Sequence, residues 1–85
     1  MRTVELLERA VAAAERLGYE IRHEYLAGSG GGCCEFGGRK WLFIDLALST
    51  EEQLDQVVQA LRSEPRAVFA DPSPELRRLI GRRAA

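Results

Sequence analysis

Near the start of the chain, apolar residues recur at three- and four-residue spacing (Leu6, Leu7, Ala10, Val11, Ala14, Leu17), with Glu5, Glu8, Arg9, Glu15 and Arg16 between them. That period predicts an amphipathic helix over Val4 to Leu17, with an acidic first turn suited to the helix dipole and Gly18 as a left-handed stop. From Tyr19 to Leu26 the period changes to two. Tyr19, Ile21, His23 and Tyr25 alternate with Glu20, Arg22 and Glu24, which predicts a strand with one buried face. Gly28-Ser29-Gly30-Gly31-Gly32 supplies a turn. Cys33 to Phe36 opens a second strand that reverses at Gly37-Gly38 into a third over Arg39 to Leu48. Trp41-Leu42-Phe43-Ile44 has no polar position, so both faces of this third strand require cover.

Ser49 followed by Glu52 reads as a capping box, and Leu54, Val57, Val58 and Leu61 form the buried stripe of a second helix that Pro65 ends. Val68 and Phe69 make a small apolar anchor. In the turn Asp71-Pro72-Ser73-Pro74, Ser73 caps a final helix with Pro74 at its first position. Leu76, Leu79 and Ile80 face inward on that helix, and Gly81 stops it. The order predicts one α+β domain over residues 1–85: an N-terminal helix, a short three-stranded antiparallel sheet, an amphipathic helix and a short C-terminal helix. Two helix stripes cover one sheet face. Trp41 and Phe43 on the other are expected to form an interface, with Asp45 as a specificity-setting acid beside them, unless Val68, Phe69 and the last helix close that face within a monomer.

Composition agrees with a folded domain, at 46% hydrophobic and 29% charged residues, but 85 residues make a marginal core that association with a second copy would enlarge. The net charge of −1 is unevenly spread. Residues 1–64 carry 7 basic and 11 acidic groups, while residues 65–85 carry 5 and 2. An acidic body argues against a nucleic-acid surface, and Arg77, Arg78, Arg82 and Arg83 read as a solvated helix end. No run is long and apolar enough for a membrane span or signal core, so a cytoplasmic protein is expected.

Gly30, Gly31 and Gly32 could expose backbone N–H groups to an anion, yet no Gly-Lys-Ser/Thr follows at phosphate-loop spacing, which favours a structural turn over a ligand loop or a partner-recognition loop. Cys33 and Cys34 are adjacent, too close to close a stabilising disulfide loop, and they point to opposite faces of an extended strand. A thiol enzyme would use one of them as nucleophile, with His23 moving the proton and Glu24, Glu35 or Asp45 orienting the ring. A metal site would need further ligands from a second subunit. The plainer reading makes His23 a packed or interfacial residue beside Ile21 and Tyr25 and gives the cysteines a structural or incidental role. The leading expectation is therefore a noncatalytic homodimer or protein-interaction scaffold without cofactor or membrane partner. The alternatives are a thiol-dependent enzyme or redox protein using Cys33, Cys34 and His23, and an intersubunit metal-binding protein.

Gly31-Gly32-Cys33, the segment Gly38-Arg39-Lys40-Trp41-Leu42-Phe43-Ile44-Asp45 and the helix opening Glu51-Glu52-Gln53-Leu54 resemble small uncharacterised bacterial proteins. Over Tyr19 to Glu64 the hairpin and following helix are also similar to the core of the phage-repressor-cleaving zinc metallopeptidases. In that family this helix carries His-Glu-x-x-His. Here Glu51 to Leu61 contains no histidine, and His23-Glu24 sits in a strand pattern without the second histidine. The resemblance thus implies a noncatalytic scaffold.

Overall fold

The computed structural model describes residues 2–28, 31–71 and 73–81. Ser29, Gly30, Pro72, Arg82, Arg83 and the side chain of Val68 lie outside that description. Seven elements follow in order: α1 (Thr3–Arg16), β1 (Tyr19–Glu24), β2 (Gly32–Phe36), β3 (Arg39–Asp45), α2 (Thr50–Arg62), a 3-10 turn (Ala67–Phe69) and α3 (Pro74–Gly81).

The fold is α+β as expected, but the sheet is mixed rather than antiparallel. Its order is β1-β3-β2, with β1 parallel to β3 and β2 antiparallel to it. The physical reason lies in β3. Leu42 and Ile44 are completely buried, so the most apolar strand takes the centre, where both edges are hydrogen-bonded. Seven residues separate β1 from β2, a reach of about 23 Å, against about 10 Å needed to cross the end of β3. The β2–β3 hairpin turns through Gly37 (φ 61°) and Gly38 (φ 78°), the pair of positive values that a two-residue turn matching strand twist requires.

All three helices pack on the Leu42 side of the sheet, where they share one core with Tyr19, Leu42 and Ile44. The deepest positions of α1 are Ala10, Ala13 and Ala14, all at zero exposure, while Leu6, Leu7, Val11 and Leu17 flank them half-buried. Small side chains along this stripe let α1 lie close against α2. Leu54, Val57, Val58 and Leu61 of α2 and Leu76 and Ile80 of α3 complete the core. The capping box at α2 forms as read, with the Glu52 N–H donating to Ser49 Oγ (3.2 Å) and the Ser49 N–H to Glu52 Oε1 (3.0 Å).

A buried acid ties the C-terminal segment to α1. Asp71 accepts the Ser73 N–H at 2.7 Å and lies 3.3 Å from Arg9 Nη1 and 3.7 Å from Arg16 Nη2. Arg16 Nε also donates to the Ala70 carbonyl (2.7 Å), and Arg62 donates twice to the Leu79 carbonyl (3.2 and 3.0 Å). These bonds hold α3 in the helical layer. Phe69, the other anchor residue, is 83% exposed and covers neither sheet face.

Candidate functional site

With the helices on one side, the opposite sheet face is left open among the described residues. Trp41 and Phe43 stand on it two residues apart, their rings stacked with centroids 6.2 Å apart and planes at 21°. Both are half-buried and neither joins the core. Register sets what surrounds them. Glu20 and Cys34 lie level with Trp41, Arg22 and Gly32 level with Phe43, and Phe36 level with Arg39. Phe36 is 76% exposed. The charges on this face are paired within the chain, Arg22 with Glu24 at 2.8 Å and Arg39 with Glu20 at 3.3 Å. All four side chains remain well exposed, so these pairs add little stability and are free to exchange partners.

Of the three interface residues read from the sequence, Trp41 and Phe43 therefore lie on the open face, whereas Asp45 is wholly buried at its end. Its Oδ1 accepts the backbone N–H groups of Leu26 and Ala47, each at 2.9 Å, and its own N–H donates to Gln56 Oε1 at 3.1 Å. Asp45 thus fastens the segments that leave β1 and β3, and it supports the face from below. Gly31 closes the same end. Its φ is +116°, and a Cβ there would run into Gln56 Nε2 and approach the Phe43 carbonyl oxygen to 2.8 Å, so the glycine serves close packing.

The alternation read in β1 holds, but its apolar side is covered only at the start. Tyr19 is buried and Ile21 half-buried, while His23 and Tyr25 are exposed, so His23 is not the packed residue expected from its neighbours. His23 is level with Ile44 on one outer strand, and Cys33 is level with Leu42 on the other, with buried β3 between them. Two strand spacings and a two-residue offset set their Cα atoms about 12 Å apart. Cys34 belongs to the opposite face. Both cysteines are free and exposed, and Cys33 borders a groove of about 430 Å³ between β2 and α2 that Gln56, Gln59 and Ser63 also line. Among the described residues no three His, Cys, Asp or Glu side chains gather to hold a metal ion, and no helix is long and apolar enough to cross a membrane.

One polar cluster escaped the sequence reading. Lys40 Nζ lies 2.7 Å from Glu64 Oε1 and 4.7 Å from the centre of the Tyr19 ring, and the Tyr19 hydroxyl donates to the same Glu64 oxygen at 3.2 Å. Burial first, and the neighbouring Glu64 carboxylate second, push the Tyr19 phenol up to about 12. The hydrogen bond from Lys40 holds the Glu64 carboxyl below its ordinary range. Only the parallel pairing of Tyr19 with Lys40 creates this contact, and no local pattern announces it. The same register escaped notice on the open face, where Glu20 and Arg22 read as solvent-facing residues and not as neighbours of Trp41 and Phe43. Comparison with protein-family models, with curated proteins and with solved structures returns no match.

Proposed function

We propose that this chain is a noncatalytic interaction protein that works as a homodimer, with the open sheet face as its contact surface. The supporting observation is the stacked Trp41–Phe43 pair, left outside the core on a face that the chain's own helices do not cover. Aromatic side chains supply large contact area at low entropic cost, and their clustering at the centre of a face is the pattern of an interface anchor. The physical task is burial. A domain of 85 residues gains from a partner the apolar area that its own core lacks. The reading places the protein in the cytoplasm, where two exposed adjacent thiols stay reduced.

Sedimentation across a dilution series from high to low micromolar tests the proposal. A concentration-dependent dimer is expected, with Trp41→Asp and Phe43→Asp monomeric throughout and helical by circular dichroism. A wild-type chain that stays monomeric over the whole series would overturn the reading.

A further inference from the structure

The open face carries more than apolar area, because its residues fall in two rows whose contents match each other. One row runs across the sheet as Glu20, Trp41 and Cys34, and the next as Arg22, Phe43 and Gly32. A two-fold axis lying across the strands between these rows, at the level of Ile21, Leu42 and Cys33, sets the first row of one copy on the second row of another. Glu20 then meets Arg22 of the second copy, and the contact repeats by symmetry. The Trp41 ring meets Phe43 of the second copy, and the Cys34 side chain stands over Gly32, where no side chain competes for the space. Exposed Arg39 comes level with the end of the face that carries Glu24. An axis along the strands lacks this match, since it lays Glu20 over Cys34 and Arg22 over Gly32 and gives neither charge a partner.

We propose that a second copy of this chain occupies the open face in this two-fold register, with the reciprocal Glu20–Arg22 contacts selecting it and the Trp41–Phe43 contacts anchoring it. The proposal rests on the homodimer reading above and adds the orientation. Glu20, Arg22, Glu24 and Arg39 sum to zero charge, so two copies approach without net repulsion. The face measures about 14 by 23 Å from strand spacing and rise, on the order of 600 Å² of accessible surface per copy with side chains counted. Two copies bury about 1,200 Å², the lower edge of the range for stable interfaces.

Charge reversal tests the register. Glu20→Arg and Arg22→Glu each place like charges together twice, so each variant alone is expected to dimerise roughly tenfold or more weakly than wild type. Mixed, the E20R and R22E chains again set opposite charges together at both contacts, and native mass spectrometry should show the mixed dimer exceeding either homodimer. Both positions are exposed, so the fold is expected to survive. Should a reversal fail to fold, thiol mapping of the wild type reads the same register: dimerisation should slow alkylation of Cys34 and leave Cys33 reactive. A wild-type dimer whose reversed variants combine statistically, or whose cysteines are protected equally or not at all, overturns the register and leaves the homodimer reading standing. A wild-type monomer overturns both.

Discussion

Replacing Asp45 by alanine separates a supporting role from a contact role at the end of the open face. The carboxylate accepts two backbone N–H groups, from Leu26 and Ala47, at 2.9 Å each, with no solvent exposure. A buried N–H left without its acceptor costs about 1–3 kcal/mol, so losing both bonds costs about 2–6 kcal/mol. Local relaxation around the smaller side chain returns part of this, leaving a net loss of about 3 kcal/mol. A domain of 85 residues has about 4–13 kcal/mol in total, so the variant should keep its fold with a midpoint lowered by roughly 12–24 °C. Thermal and urea unfolding at one fixed, low protein concentration measures this, since association itself adds stability. Glu24→Ala is the control. Glu24 pairs with Arg22 at the surface, and its removal should cost under about 1 kcal/mol. The reasoning is refuted if Asp45→Ala unfolds within about 1 kcal/mol of wild type, and doubly so if that stable variant no longer dimerises.

Three further outcomes are expected. Gly31→Ala should lose about 2 kcal/mol or more in urea unfolding, because its Cβ meets backbone as well as a side chain. Gly32→Ala, with a φ of +103° but nothing within 4 Å of its Cβ, should lose less. Ser49→Ala removes the α2 cap and should cost about 1 kcal/mol, read as a lower urea midpoint at unchanged slope. The folded Tyr19 phenol titrates at about 12, above its ordinary value of 10.0, so the folded state favours the protonated phenol. Its contribution is complete below pH 10 and lost between pH 10 and 12. Wild type should therefore lose stability relative to Tyr19→Phe across that window, and a constant difference would contradict the assignment.

The helices were legible because each carries its own signals. The Ser49–Glu52 box, Pro74 at the start of α3 and the three-to-four spacing of Leu54, Val57, Val58 and Leu61 are all local, and all describe the structure. The hairpin was equally local, since Gly37-Gly38 specifies its turn. Pairing between distant strands was not. Whether β1 joins β2 or β3 depends on which strand wins the buried centre, a competition settled by the covering helices rather than by any residue in β1. The aromatic pair on the open face could be read from the strand period alone, but the acidic and basic residues level with it could not. Their positions follow from the parallel register of Tyr19 with Lys40. Asp45 shows the same division. Its place after an apolar strand marked it as unusual, while its partners Leu26 and Gln56 come from elements that only the tertiary fold brings near.

The strand order also sets how much chain each pairing must close during folding. β3 is the last of the three strands in the chain, yet in the sheet of the described residues both other strands pair with it and not with each other. A nascent chain that ends at Gly38 therefore holds two strands with no ladder to join. The β2–β3 hairpin closes over a short loop and is expected to form first, which pulse-labelled hydrogen exchange during refolding checks. Aligning Tyr19 with Lys40 closes a longer stretch of chain and is expected to be the slower step. The alanine stripe of α1 is covered only once α2, more than thirty residues later in the chain, packs against it. In native-state hydrogen exchange the amides of β3 should accordingly be the last to open, and those of β1 should exchange before them.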